Sequence, residues 1–379
     1  MKHFVKIASF CGILFLIPVL TLVKTPASTS FYENRTLAVF PPFSMQQVLD
    51  GKYFPQVETY VNDHLAGRDR LLKLNTLKEF GLHAPVINNT VISGDILLPY
   101  YGTALDHYDV EAMAQELDML QALDHYCKQH DIDFLYVSIP EQSSAFRDRY
   151  PAYLNDSRYQ DDSLRVDFMA GLVGRGIDHL DMAQYLSADY KQFYSKTDHH
   201  YNLYGAYETY LRVMEYINEN YCTAPVTTDL AITPLDTTFL GSRNRKLFGL
   251  FQSEDCQYTY KLTEPIPFTR YDNGSSVPAT VFSESQKNMY RYYMGGDVAE
   301  SIIRTNRTEL TNVLVIGDSF TNALETILYT SFDEMRSLDF RYYTEKNIYE
   351  YLADYKPDVL VYVRDDLSYI VTTGNGDLG

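Results

Sequence analysis

The chain has 379 residues, 45% hydrophobic and 22% charged, a balance that supports one large or two modest packed domains and excludes a disordered chain. A formal charge of −18 argues against nucleic acid as a partner, because phosphate binding draws on Lys and Arg to displace counterions. Most of the abundant tyrosines read as packing residues with a polar tip.

Residues 1–24 come first. Lys2 and Lys6 precede an apolar run over 7–23, about the length needed to cross a bilayer core, roughly 17–25 residues. Positive charge ahead of the run predicts a cytoplasmic N-terminus, with the remainder exported. A cleavable signal peptide competes with this reading, but "TPAS" is a poor small-residue cleavage site, so an uncleaved signal-anchor is preferred. The chain is expected to work outside the cytoplasm, anchored to the membrane, or secreted if the segment is cut. Cys127, Cys222 and Cys256 lack paired short spacing and fit neither a zinc knuckle nor a disulfide scaffold; a Cys222–Cys256 bridge stays open.

Residues 25–108 read as a tether followed by a helical region and a hairpin. Pro41-Pro42 blocks any helix there. The pattern over 44–80 is helical with breaks near Gly51 and Gly67, and "VINNTVISGDILLPYYG" reads as a β-hairpin turning on Asn88-Asn89. Residues 109–370 read as an α/β domain. An amphipathic helix is expected over 109–130, with Met113, Leu117, Leu120 and Leu123 on one face. "DFLYVSIP" and, more weakly, "GIDHLDM" read as strands, and "SKTDHHYN" opens a helix over 203–218. Then "NVLVIGDSF" is a strand and turn, 321–330 a helix, "SLDFRYY" a strand, 348–355 a helix and "DVLVYVRDD" a strand. Such alternation implies a parallel sheet with helices on both faces. The polar stretch 223–307 reads as a β-rich insertion, and 371–379 as a frayed tail.

Two stretches carry the chemistry. Gly317-Asp318-Ser319 ends a buried strand, where open α/β sheets place their ligands. Gly317 permits a tight turn, and Ser319 lies beside the free N–H groups of the following helix, which can stabilise an oxyanion. A nucleophile is one reading of this serine; a helix cap made by Ser319 or Asp318 is the other. A serine hydroxyl needs a base, and the base needs an orienter. His200 follows Asp198 by two residues, so both project to one side of an extended segment, or an Asx-like turn brings the carboxylate to Nδ1. Nε2 is then left for the serine, while His199 turns toward substrate or a structural hydrogen bond. Asp198, His199 and His200 are also competent metal ligands. No HExxH or CxxC partner completes a zinc set, however, and neither metal nor other cofactor is expected.

"TDHHYNLYGAYETY", with "VLVIGDSF" far downstream, resembles the DHHW protein family of bacteria, with Tyr201 where that family commonly has Trp. "ENRTLAVFP" and "YFPQVETYVNDHLAGRDRL" resemble its opening segment, so the resemblance runs from residue 33 to about 366. The family is similar to the SGNH-like acetyltransferases of alginate O-acetylation, exported proteins that modify surface polysaccharides alongside a membrane-bound O-acyltransferase. The resemblance implies an SGNH-hydrolase-like parallel sheet flanked by helices. It implies Ser319 as nucleophile, His200 as base and Asp198 as orienter of an O-acetyltransferase or acetylesterase. Its substrate would be a cell-envelope polysaccharide and its partner an O-acyltransferase. The Gly-x-Asn-Asp stretch that supplies a side-chain oxyanion donor in SGNH hydrolases is not found. The Ser319 N–H and Arg341 or Tyr342 are expected in its place, with Gly317, Asp318, His199 and Tyr201 around the substrate. The rival reading is a catalytically inactive polysaccharide-binding or assembly component of an acyltransferase complex.

Overall fold

The computed structural model describes residues 2–100, 108–157, 163–221 and 226–379. Two compact units form: Met1–Thr90 with Asn244–Gln252, and Val91–Arg243 with Ser253–Gly379. Cys222 lies outside the described residues, and Cys256 is a free thiol.

In the first unit, α1 spans Lys2–Val23 and encloses Pro18. Among the described residues no helix is long and apolar enough to cross a membrane. The helical stretch that follows contains α2 (Tyr53–His64) and α3 (Arg68–Gly81). It breaks where expected: Gly51 and Gly67 take φ of 71° and 79°, a region that side chains with a Cβ resist. Arg35 clamps the opening segment onto α2. Its two terminal nitrogens donate to Asp63 Oδ2 and Oδ1 at 2.9 and 2.5 Å, and the Ala38 N–H adds a third bond at 2.8 Å. The Arg35 hydrogen bonds pull the Asp63 carboxyl down to about 2. Asn88 and Asn89 both adopt positive φ, as the predicted tight turn requires.

The second unit is built on one large sheet. Its strands are β1 (Asp133–Ile139), β2 (His179–Asp181), β3 (Thr269–Asp272), β4 (Ser275–Val277), β5 (Glu300–Arg304), β6 (Val313–Ile316), β7 (Glu334–Leu338) and β8 (Val359–Asp365). The sheet order is β4-β3-β5-β7-β6-β8-β1-β2. The run from β7 to β2 is parallel, as the alternating pattern predicts; β5, β3 and β4 continue it antiparallel. Part of the β-rich stretch over 223–307 therefore extends this sheet, while Ala231–Thr238 and Cys256–Lys261 pair as a separate ribbon.

The helices of this unit are α4 (Val110–Gln129), α5 (Ser163–Arg175), α6 (Leu203–Asn220), α7 (Thr321–Leu328) and α8 (Ile348–Tyr355). Asp109 caps α4 by accepting from the N–H groups of Glu111 and Ala112. The face of α4 carrying Leu117, Leu120 and Leu123 is buried with Phe134, Phe168, Leu314 and Leu360. Each such leucine contributes about 1.5–3 kcal/mol by leaving water. All four residues of β6 are buried, because the strand is flanked on both edges and covered on both faces.

Two expectations are corrected. The strand placed over "SLDFRYY" is Glu334–Leu338 instead: its partner β6 ends at Ile316, opposite Leu338, so no ladder remains for Asp339 and beyond. Those residues turn, with the N–H groups of Tyr342 and Tyr343 donating to the Asp339 carbonyl. The tail is docked rather than frayed. Asn375 and Leu378 are buried, the Ile348 N–H donates to the Leu378 carbonyl at 2.9 Å, and the Phe340 N–H donates to Asn375 Oδ1 at 2.6 Å.

Candidate active site

The loop over 195–202 is held from several sides before it presents any side chain. Asn202 caps α6, accepting from the N–H groups of Tyr204 and Gly205 at 2.9 and 3.2 Å. A Cβ at Gly205 would sit 2.6 Å from the Phe193 carbonyl oxygen, so only glycine lets the helix start this close. Thr197 donates through its N–H and hydroxyl to Asp255 Oδ2 at 2.8 and 2.7 Å. Burial raises the Asp255 carboxyl to about 6 against those hydrogen bonds. The Gln142 side-chain amide reaches the Ser195 carbonyl at 3.1 Å, and its backbone N–H reaches that of His199 at 3.2 Å.

The second piece of the site follows β6. Gly317 does not need positive φ; it needs space, since a Cβ there would lie 2.3 Å from Thr321 Cγ2 and 3.1 Å from the Val363 carbonyl. Asp318 is the capping residue of the turn. Its Oδ1 accepts from the Phe320 N–H at 2.9 Å, and its carbonyl accepts from the Thr321 N–H at 2.9 Å. Ser319 is thereby left for a different contact.

That contact is His200, 119 residues away in sequence. Ser319 Oγ lies 2.8 Å from His200 Nε2, and His200 Nδ1 lies 2.6 Å from Asp198 Oδ1. An ionised carboxylate only accepts, so Nδ1 carries the proton and Nε2 is the acceptor for the serine hydroxyl. Asp198 Oδ1 also accepts from the N–H groups of His199 and His200 at 2.8 and 3.2 Å, and Oδ2 from that of Ser242 at 2.6 Å. Burial alone would raise this carboxyl; the neighbouring His200 and His199 rings and these bonds outweigh it and hold it well below the usual carboxylate range. Asp198 and His200 are buried and Ser319 is half-buried, so the serine is the end open to a substrate.

The remaining expected residues fall into two groups. His199 and Tyr201 adjoin the imidazole. The His199 Nδ1 is 2.9 Å from Ser242 Oγ, and its ring centroid is 3.7 Å from that of His200. Tyr201 is fully buried and donates its hydroxyl to the Phe320 carbonyl, bracing the serine's turn from below. Arg341 and Tyr342 are engaged elsewhere: Arg341 holds Asp339 and, at 3.0 Å, Asp297, while Tyr342 is exposed with the Arg341 guanidinium over its ring. Asp198, His199 and His200 offer ligand atoms within 4.8 Å of one another, so they could hold a cation, but Asp198 and both His200 nitrogens already have hydrogen-bond partners.

Sequence reading missed Tyr290, whose ring stacks on His200 with centroids 3.7 Å apart and planes 2° apart. It also missed Ser242 and Asp255, which tie down the loop. Nothing sets Tyr290 apart among so many tyrosines, but Gly241 was a signal: its missing side chain admits the Thr197 carbonyl, 2.3 Å from where a Cβ would be. A cavity of about 340 Å³ opens beyond β1 and β8, lined in part by Ser144, Arg147, Arg165 and Asp366. Burial pushes the Asp366 carboxyl up to about 7.

The large, mostly parallel sheet thus carries a serine beyond β6 with an Asp-x-His loop facing it. The family model described as an SGNH hydrolase-like domain, acetyltransferase AlgX, matches residues 100–288, taking in Asp198 to Tyr201 and ending before Ser319. The model of the DHHW protein matches residues 33–124. The chain thus resembles DHHW proteins over residues 33–124 and an SGNH hydrolase-like acetyltransferase domain over residues 100–288. Among solved structures, PatB1 of Bacillus cereus is similar at 19% identity and a TM-score of 0.61, over 74% of this chain and 96% of that one. The same protein with a sulfonyl adduct gives 18% and 0.60, over 74% and 97%. A DHHW family protein from Eubacterium siraeum gives 17% and 0.57, over 75% and 92%. At these identities the likeness is one of fold. No curated protein sequence matches the chain.

Proposed function

We propose that the chain transfers an acetyl group through Ser319 to a hydroxyl of a cell-envelope polysaccharide, with His200 as general base and Asp198 as its orienter. The observation that carries this reading is the unbroken line Asp198–His200–Ser319, with spacings of 2.6 and 2.8 Å. His200 takes the hydroxyl proton as Ser319 Oγ attacks the acetyl carbonyl. The Ser319 N–H at the head of α7 faces the developing oxyanion. Collapse expels the donor's alkoxide, which receives the proton from His200 and leaves an acetyl-serine. An acceptor hydroxyl then gives its proton to His200 and takes the acetyl group, restoring Ser319. Proton transfer of this kind is worth roughly 10²–10⁴-fold in rate. Water in place of the sugar hydroxyl makes the same machinery an esterase.

The supporting context is the acetyltransferase description of the matching family model. Lys2 and Lys6 ahead of the apolar run support export, and the proposed reaction runs outside the cytoplasm with a membrane-bound O-acyltransferase as the source of acetyl groups. The test is intact-mass and peptide analysis after incubation with p-nitrophenyl acetate or a sulfonyl fluoride. Acetyl or sulfonyl groups on Ser319, absent in Ser319→Ala, are the expected result. Unmodified Ser319 in folded protein would reject the nucleophile and favour the non-catalytic assembly role.

A further inference from the structure

We infer that α3 is a membrane-surface helix, seating the first unit on an anionic lipid bilayer through a contact that involves none of residues 1–24. The helix Arg68–Gly81 advances 100° per residue, so Leu71, Leu74 and Leu77 share an arc of about 120° with Arg70 and Lys78. These leucines face water: they are 51%, 61% and 46% exposed. Three leucines in a row on one exposed stripe mark a contact surface rather than a core. Arg70, Lys73 and Lys78 are exposed on or beside the stripe, while the helix's acids, Asp69 and Glu79, lie round the other side.

Charge selects the occupant. Residues 25–90 carry six Lys and Arg against six Asp and Glu, whereas residues 91–379 carry 23 against 44. On α3 itself the balance is positive, with Arg68, Arg70, Lys73 and Lys78 against Asp69 and Glu79. An apolar stripe edged by Lys and Arg is the pattern of helices that lie in the headgroup region, leucines toward the acyl chains and cations toward anionic headgroups. A protein partner would require only the leucines; the basic border requires a negative surface. The inference is independent of the chemistry proposed for Ser319.

The chain lacks tryptophan, so Leu74→Trp creates a unique reporter at an exposed position in the full-length protein. The probe is phosphatidylcholine vesicles with about 30% phosphatidylglycerol, with and without brominated acyl chains. The expected result is blue-shifted emission quenched by the brominated lipid. Asp69→Trp, on the opposite side of the helix, should remain unquenched. Adding Arg70→Gln, Lys73→Gln or Lys78→Gln to Leu74→Trp should lower the ratio of embedded to free reporter about fivefold per charge. Three results would overturn the inference. One is an unquenched Leu74→Trp in protein that still sediments with vesicles. Another is quenching that ignores phosphatidylglycerol and the basic substitutions. The third is an emission shift that requires an added membrane protein. Reading depth at residue 74, rather than binding, keeps the result free of any hold exerted by residues 1–24.

Discussion

Asp198→Asn isolates the charge of the orienting carboxylate while keeping its shape. In the native loop Oδ1 accepts from the N–H groups of His199 and His200 and from His200 Nδ1–H, and Oδ2 accepts from the Ser242 N–H at 2.6 Å. An amide offers one oxygen. Held at the Oδ1 position, that oxygen keeps three bonds and turns the NH₂ group on the Ser242 N–H, donor against donor, costing about 1–3 kcal/mol of stability. Flipped, the amide donates to Nδ1, the imidazole proton moves to Nε2, and Ser319 loses its acceptor. The first arrangement keeps more bonds and should prevail. The tautomer then survives, but the imidazolium formed during attack lacks its neighbouring charge. Opposite charges about 4 Å apart attract by about 4 kcal/mol at an effective dielectric of 20, so kcat should fall roughly 10²–10³-fold. Stopped-flow and steady-state hydrolysis of p-nitrophenyl acetate, with a parallel thermal melt, measure both consequences. A lowered melt with kcat retained above about a tenth of wild type would refute the reasoning, because Asp198 would then only be holding the loop.

Asp255→Asn tests the half-buried acid under the loop. Burial raises its pKa from 3.8 to about 6, so between those values the folded chain keeps a proton that the unfolded chain has released. Stability therefore falls as pH rises through that window, and the deficit, about 3 kcal/mol, persists above it. The asparagine oxygen can accept both Thr197 bonds without charge, so melting should rise at pH 8 and match wild type below about pH 4. Gly317→Ala forces a methyl to within 2.3 Å of Thr321 Cγ2. Overpacking of this kind costs about 1–3 kcal/mol, and ester turnover should drop along with the melt as the Ser319 turn shifts. Tyr201→Phe deletes the donor to the Phe320 carbonyl. Chemical denaturation should register a loss of about 1–3 kcal/mol for the unpaired buried oxygen, with a smaller loss of turnover than Asp198→Asn gives.

Local signals were legible wherever a residue's own neighbours set the outcome. Asp109 and His130 bracket α4 because an aspartate caps the first turn and the apolar period ends with the helix. Asn88-Asn89 makes a turn because asparagine tolerates positive φ. Misreadings arose where a distant partner decided. The alternation of "SLDFRYY" suits a strand, but the end of β6 stops the ladder at Leu338. The polar tail looks like a fraying end, yet Leu378 has a place in the core and Asn375 a backbone N–H to receive.

The candidate site divides along the same line. From sequence came the Asp198-x-His200 spacing, which needs only a turn of the chain, and Ser319 at the exit of an apolar strand. The approach of these pieces across 119 residues, the Tyr290 ring flat against His200 and the Ser242 N–H on Asp198 came only from the folded chain. A cap or a turn is stabilised by atoms a few bonds away, so residue order encodes it. Stacking and long-range hydrogen bonds depend on where the sheet brings separate segments, and that arrangement is a property of the whole core.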